Sequence, residues 1–251
     1  MEKRADKYPG VAKVTDAERI EMVKEIFSTI TGKYDFLNHF LSLRRDIAWR
    51  RFTAGKMRFF NTYRMLDVAT GTADLAIDVA RRHPNARITG LDFVKEMIDL
   101  GGAKIQVKLL SDRVRMLRGD ALCLPFADNC FDVAAIAFGI RNIPDKIAAI
   151  KEMMRIVAPG GQVMILEMTF PQNGPFQKLY NVYLNRILPY VARTFTANPG
   201  AYHYLADSIM HFPSPEALAG LMEKAGLTNV EKHSLTLGIT HLHVGVKPEV
   251  Q

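Results

Sequence analysis

The chain has 251 residues, 48% of them hydrophobic and 24% charged, with a formal net charge of +7. That is enough for one large α/β domain with a sizeable core, and no apolar run reaches the roughly 18 residues of a membrane-spanning helix. The charge is uneven: residues 1–64 hold 14 Lys/Arg against 8 Asp/Glu, which suits a solvated face or an anionic membrane surface, while no zinc finger, RNA-binding motif or long basic run points to nucleic acid.

Residues 1–15 read as a loose arm without the apolar stretch of a secretory signal. Helices are expected over 16–31, with Asp16 as N-cap and Ile20, Val23, Ile26, Phe27 and Ile30 on one face, over 34–43, and over 46–56 around the only tryptophan, Trp49. From Tyr63 the rhythm changes to short apolar runs alternating with helical segments. Strands are predicted at 65–69, 86–91, 114–118, 131–138 and 162–168, and helices at 74–82, 95–105 and 145–157, the last stopped by Pro159-Gly160-Gly161. This alternation predicts a doubly wound, mostly parallel sheet with helices on both faces. It breaks at residues 171–213, an aromatic-rich stretch that reads as a helix–turn–helix insert. A helix over 215–225, capped by Ser214 and stopped by Gly226, and two strands at 230–235 and 239–246 then close the chain as a hairpin. Residues 1–62 are thus a helical region of the same domain as the core at 63–251. Cys123 and Cys130 match neither a redox pair nor a zinc set, which leaves two reduced thiols in a cytoplasmic protein.

The first predicted strand carries Asp67 and runs into Thr70-Gly71-Thr72-Ala73-Asp74; Asp92 follows Gly71 by 21 residues at the end of the second strand. A dinucleotide enzyme would use an acid there for ribose, after a Gly-x-Gly-x-x-Gly turn that lets the backbone approach a pyrophosphate. Only Gly71 is present, with Ala69 and Ala73 on either side. S-adenosylmethionine has no phosphate, only an amino-acid end, a ribose diol and an adenine. A looser turn and nearby carboxylates suit it, although an ordinary capped loop would look the same. The third strand ends in Gly119-Asp120-Ala121, where a carboxylate can accept from an adenine amino group. An acid in each of the first three strand-to-helix connections points to a cofactor crevice at the strand ends.

The acidic single-glycine turn, Asp120 and the run Leu124-Pro125-Phe126-Ala127-Asp128-Asn129-Cys130-Phe131-Asp132 resemble class I methyltransferases. Further stretches resemble one family, the ubiquinone/menaquinone-biosynthesis C-methyltransferases: Tyr34-Asp35-Phe36-Leu37-Asn38 with Ser42 and Trp49; Phe138-Gly139-Ile140-Arg141-Asn142; Arg155 to Gly161 with Leu166-Glu167; and Tyr202 to Ile209. The chain departs from the family pattern at Leu37, Asp46, Ala73, Ala158 and Thr169, where Met, His, Gly, Lys and Ser are common. Asp46 thereby replaces a possible proton carrier.

The resemblance implies a seven-stranded, Rossmann-like fold and S-adenosyl-L-methionine as cofactor, with S-adenosyl-L-homocysteine as product and no metal. It places Asp67, Gly71, Thr72, Asp92, Asp120, Ala121 and Ala137 around the cofactor. Arg141 and Asn142 would face the transferred methyl, with His39 or His203 as base, and Tyr34, Trp49, Tyr202 and Tyr204 would meet the acceptor. That acceptor would be a polyprenyl quinol, demethylmenaquinol or the benzoquinol of the ubiquinone route. His241 and His243 alternate on a strand without an acidic or cysteine partner and read as structural. The basic N-terminal helices and the aromatic insert would form an apolar lid on a cytoplasmic protein peripheral to the inner face of the membrane, in which an oligomer is allowed. A nicotinamide oxidoreductase is disfavoured by the lone glycine, and a non-catalytic membrane-binding module is the remaining rival.

Overall fold

Apart from Asp132, the strand predicted at 131–138 is entirely apolar, so it has to be covered on both faces. The computed structural model of the chain, which describes residues 8, 10, 14–29, 34–171, 174–190 and 200–249, puts this strand, β4 (Phe131–Ala137), at the centre of a seven-stranded sheet. The others are β1 (Arg64–Val68), β2 (Arg87–Asp92), β3 (Val114–Arg118), β5 (Val157–Met168), β6 (Thr228–Leu235) and β7 (Thr240–Val246), in spatial order β3-β2-β1-β4-β5-β7-β6. β1 to β5 are parallel, and β7 runs antiparallel between β5 and β6. The order reverses between β1 and β4, so the crevice of the sheet opens at their carboxyl ends.

Alternate residues of each central strand feed two cores. Met65, Val133 and Ala135 pack under α3 (Arg45–Lys56), α4 (Asp74–Arg82) and α5 (Lys95–Val107). Leu66, Val68, Ala134 and Ile136 pack under α6 (Lys146–Ile156) and α9 (Pro215–Lys224). A third apolar cluster lies apart from the sheet. It joins Val23 and Ile26 of α1 (Asp16–Thr29), Leu37 of α2 (Tyr34–Leu41), Tyr180 of α7 (Gly174–Val182), Leu184 of a π turn (Tyr183–Ile187), and Ile209 of α8 (Gly200–Met210). The N-terminal helices and the insert thus share one cap, while α3 packs on the sheet. The turn of the expected helix–turn–helix insert and Phe195 lie outside the described residues.

Two local readings are corrected. The N-cap of α1 is Thr15, not Asp16. Thr15 Oγ1 accepts from Glu18 N at 3.3 Å and Glu18 Oε2 accepts from Thr15 N at 2.8 Å, a reciprocal capping box. And Pro159-Gly160-Gly161 does not stop α6, which ends at Ile156 and passes without a loop into β5. Phe131 faces Val157 and Val133 faces Gln162, so residues 158–161 bulge out of the strand. Gly160 takes φ +77° there, and a Cβ on Gly161 would stand 2.7 Å from Ala158 O.

Part of the methyltransferase-like motif is structural. The Asp132 carboxylate accepts the amide hydrogens of Phe60, Asn61, Thr62 and Tyr63 at 2.8–3.1 Å, fixing the entry to β1. Burial pushes its pKa up, but those four bonds outweigh it and hold the carboxyl below its ordinary value. Arg155 donates to Asp128, Glu152 and the carbonyls of Leu124 and Phe126, pinning the connection into β4.

Candidate active site

At the carboxyl ends of β1, β2 and β4 the chain encloses a cavity of about 700 Å³. Its floor is the turn after β1. Ala69, Gly71 and Ala73 have φ of +51°, +55° and +66°, so the two alanines keep the left-handed backbone that a glycine-rich turn would have. Such strain persists where the surroundings over-determine it. Asp67, 1% exposed, braces the turn by accepting from Thr70 Oγ1 at 2.6 Å and Ala76 N at 3.2 Å. Burial raises its pKa to about 7. Asp92 accepts from Gly71 N and Val94 N, both at 2.9 Å, and burial raises its pKa too. Asp120 is exposed at the rim and accepts from Leu122 N at 2.9 Å.

All seven residues expected around the cofactor, Asp67, Gly71, Thr72, Asp92, Asp120, Ala121 and Ala137, are walls of this cavity. The Thr72 hydroxyl is engaged elsewhere: it donates to Asp35 Oδ1 at 2.6 Å and accepts from Lys104 Nζ at 3.0 Å. A Cβ built on Gly71 meets nothing within 4 Å, so a ligand can approach the bare backbone there. Carboxylates at three strand ends around an open backbone turn form an acceptor set suited to an ammonium group, a diol and an adenine amine. The residues present fit S-adenosylmethionine.

Arg141 and Asn142, in the 3₁₀ turn Ile140–Asn142 after β4, are also walls. Arg141 donates from Nη1 to Glu167 Oε1 at 2.5 Å and from its backbone N to Glu167 Oε2 at 3.2 Å. Glu167 is fully buried. Asn142 Oδ1 accepts from the Tyr204 hydroxyl at 3.1 Å. Trp49 is a wall whose Nε1 donates to Thr236 Oγ1 at 2.9 Å.

The other expected contacts stand behind the walls. Tyr202 and Tyr204 are buried in the cap, and Tyr204 reaches the cavity only through Asn142. His203 is not a wall either. Tyr34 opens α2, and its side chain lies outside the described residues. His39 is separated from the cavity by Asp46, whose Oδ2 lies 2.7 Å from His39 Nδ1. An imidazole therefore still stands beside position 46, supplied by position 39. Asp46 also accepts from Ser42 Oγ and Arg50 Nη1, each at 2.6 Å. Burial pushes its pKa up, but Ser42, Arg50 and His39 together hold it below its ordinary value, so His39 Nδ1 is the donor. His39, Asp46 and Asp74 gather their ligand atoms within 4.8 Å. Two cations already neutralise the group: Arg50 lies 2.6 Å from Asp46 and 3.6 Å from Asp74, and Lys104 lies 2.7 Å from Asp74. Arg50, 8% exposed, is therefore no membrane-facing residue. His243 is fully buried and bonds Pro215 O through Nε2 at 2.9 Å, and His241 Nδ1 lies 2.8 Å from Thr169 Oγ1, in keeping with structural roles.

Phe176, Tyr180 and Tyr183 of the aromatic insert, expected as an apolar lid, line the upper cavity, whereas no role was expected for Glu167 or for Lys104 with Asp35. Glu167 had a signal, an acid at the end of an apolar strand, which needs a buried cation. Lys104 had none, because a lysine on a helix is usually solvated.

A parallel sheet with an antiparallel β7 between β5 and β6, and an acidic single-glycine turn at its switch point, defines a class I S-adenosylmethionine-dependent methyltransferase. Solved structures share the fold: that of SibL, an S-adenosylmethionine-dependent methyltransferase, matches with a TM-score of 0.62 at 18% identity, over 86% of this chain and 58% of that one. Phosphoethanolamine N-methyltransferase 2 of Haemonchus contortus matches with a TM-score of 0.56 at 16% identity, over 76% and 50%. The chain belongs to the ubiE/COQ5 methyltransferase family, whose model matches residues 12–247. It is 42% identical to the ubiquinone/menaquinone biosynthesis C-methyltransferase UbiE of Geotalea daltonii, over 92% of this chain and 98% of that one. It is also 42% identical to the demethylmenaquinone methyltransferase of Thermus thermophilus, over 89% and 100%. It is an enzyme that uses S-adenosyl-L-methionine.

Proposed function

We propose that this methyltransferase places a methyl group on a ring carbon of a polyprenyl quinol, with demethylmenaquinol as acceptor and menaquinol as product. The observation that carries the reading is the division of one cavity into an acidic floor at the strand ends and an apolar upper part built from α1, α7 and the π turn. An apolar chamber of this size above a methyl donor suits a prenylated ring, and the names of both relatives support a quinone-type acceptor.

S-adenosyl-L-methionine, when bound, supplies an electrophilic methyl on a positively charged sulfur, so the acceptor carbon has only to be electron-rich and in line. Asp92 would hold the ribose and Asp120 with Ala121 the adenine, both from the cavity's polar end. Trp49 and the insert aromatics would fix the ring plane, and such positioning is worth roughly 7–11 kcal/mol. Arg141, braced by Glu167, would stabilise negative charge on a ring oxygen while its hydroxyl proton is given up to solvent, from which one returns once the methylated carbon has lost its own proton. Asn142, oriented by Tyr204, would hold a water that accepts the proton lost from the methylated carbon. The His39–Asp46 pair, with Nδ1–H donated to Asp46, would take that proton in turn from one side chain behind the wall.

We also infer that the enzyme meets the bilayer peripherally through the cavity rim. Leu43, Leu179 and Leu237 line the cavity and yet are 81%, 63% and 77% exposed, and the exposed Arg44 and Arg45 follow Leu43.

The test is methyl transfer from labelled cofactor to reduced and oxidised forms of a short-chain demethylmenaquinone and of the corresponding benzoquinone. Product is expected only from the reduced rings, because the quinone is electron-poor, and faster from the naphthoquinol. Equal turnover of oxidised and reduced rings would overturn the mechanism. Preference for the benzoquinol would move the enzyme to the ubiquinone route.

A further inference from the structure

A buried hydrogen-bond donor without an acceptor is costly and rare, so one on a cavity wall points to what the cavity holds. Two such donors stand on the walls of this cavity. The hydroxyl of Tyr180, on α7, has no hydrogen-bond partner although the residue is only 5% exposed. Arg141, 7% exposed, gives Nη1 to Glu167, but its Nε has no partner. The two come from different parts of the fold, the cap and the turn after β4. They are electrostatic neighbours, since the Arg141 charge acts on the Tyr180 phenol. Other donors around the cavity are paired: the Tyr183 hydroxyl donates to Leu41 O at 2.6 Å, that of Tyr204 to Asn142, and Trp49 Nε1 to Thr236; Arg19 Nε, behind Arg141, is also unpaired, but Arg19 is not a wall of the cavity. Burial, reinforced by Tyr183 and only partly offset by Arg141, pushes the Tyr180 phenol above its ordinary range, so it remains a donor at any working pH.

We propose that the Tyr180 hydroxyl and Arg141 Nε together grip one ring oxygen of the acceptor, which makes Tyr180 a second catalytic residue beside Arg141. The inference rests on the quinol reading above. A phenolic oxygen has lone pairs for both donors, and both bonds strengthen as the oxygen loses its proton and the ring carbon becomes nucleophilic. The insert then contributes a group to the chemistry as well as an apolar roof. It also selects for a ring with an oxygen at the position the pair defines, because an acceptor lacking that oxygen would leave both donors buried and unpaired.

Tyr180→Phe tests this in the full-length enzyme, with S-adenosylmethionine and a short-chain reduced demethylmenaquinone as probe. Loss of one hydrogen bond to a developing anion should lower kcat about tenfold to a hundredfold. The rise of kcat with pH should move to higher pH, because the bound hydroxyl is less acidified. Cofactor affinity by calorimetry should stay within about twofold. Tm should hold or rise, since an unpaired buried hydroxyl is removed. Tyr183→Phe, which deletes a paired hydroxyl, should instead lower Tm. Normal kcat and an unshifted pH profile in Tyr180→Phe would overturn the assignment. So would a fall in Tm, which would mean that the hydroxyl has a structural partner, or a selective loss of cofactor affinity, which would mean that it serves the cofactor. If the wild-type enzyme methylates no quinol, the quinol reading falls and this one with it. If wild type and variant turn it over equally, only the role of Tyr180 falls.

Discussion

Asp92 accepts two backbone amides, from Gly71 and Val94, and each oxygen keeps a further lone pair for a ribose hydroxyl. Asp92→Ala should therefore weaken S-adenosylmethionine binding at least tenfold by calorimetric titration, each charge-assisted bond being worth about 1.5–3 kcal/mol. Because the turn also loses its anchor, some stability should go with it; unchanged affinity would remove Asp92 from the cofactor site. At Arg141 the proposed catalytic role and stability are coupled. Glu167→Ala leaves the guanidinium buried and unpaired, which costs about 3–5 kcal/mol. At about 2–4 °C per kcal/mol for a domain of this size, Tm should drop by roughly 10 °C, and a drop of under about 2 °C would mean that the pair is not buried in solution. Asp67 and His243 pull on pH stability in opposite senses. Asp67, raised to about 7, holds a proton in the folded state that the unfolded chain has lost, so its contribution declines as pH rises from about 4 to 7. His243, pushed down to about 4 by burial, binds its proton more readily when unfolded, so its contribution rises from pH 4 to about 6.5. In Asp67→Asn the falling contribution of Asp67 is gone while that of His243 still rises. The gain in stability between pH 4.5 and 6.5, measured by urea unfolding, should exceed the wild-type change by about 2 kcal/mol. An identical pH slope would mean that Asp67 is ionised throughout.

Among the elements, α2 has little apolar anchorage. Leu37 is the one buried residue among its described side chains, and Phe36 and Phe40 stack on each other while exposed to solvent. Charge holds it instead. Lys104 of α5 reaches Asp35 of α2 at 2.5 Å and Asp74 of α4 at 2.7 Å, while the Asp35 carboxylate also accepts from Thr72 of the cofactor turn. These groups are partly buried, so the clamp is worth on the order of 1 kcal/mol. Lys104→Met should speed amide exchange across residues 34–41 while leaving α6 protected, with only a small change in Tm. Unaltered exchange there would mean that packing alone seats the helix. Helix and strand positions were largely legible, because helical periodicity gives way to short apolar runs at the right places; β3 is seen where it is expected, over residues 114–118. The capping box at Thr15 and the bulge at 158–161 were not read, since the first depends on a side chain reaching back to the preceding turn and the second on a partner strand.

At the scale of the whole molecule, a sheet open at its carboxyl edge is roofed by a cap that mixes the beginning of the chain with the insert. No helix among the described residues is long and apolar enough to cross a membrane; the bilayer contact proposed above is through the rim of the cavity. The enzyme should sediment with vesicles containing anionic lipid and be released by salt, which screens Arg44 and Arg45. Leu43→Ser with Leu237→Ser should weaken binding to the same vesicles at low salt, since each exposed leucine gives up roughly 1.5–3 kcal/mol of potential burial. Binding that ignores both changes would place the membrane face elsewhere.

The sequence by itself determined the alternation of strands and helices and the row of acids on the cavity floor. Short apolar runs between helical segments mark a parallel sheet, and Asp67, Asp92 and Asp120 stand at strand ends, where local pattern suffices to place them. Only the tertiary structure decided the upper site. It put Tyr180 rather than Tyr202 on the cavity wall, paired Arg141 with Glu167 across 26 residues and Lys104 with Asp35 across the fold, and set His39 behind Asp46. The reason is physical. An α-helical cap joins the sheet through side-chain packing rather than a backbone ladder, so which face of each helix turns inward depends on the volumes and charges of every neighbour at once.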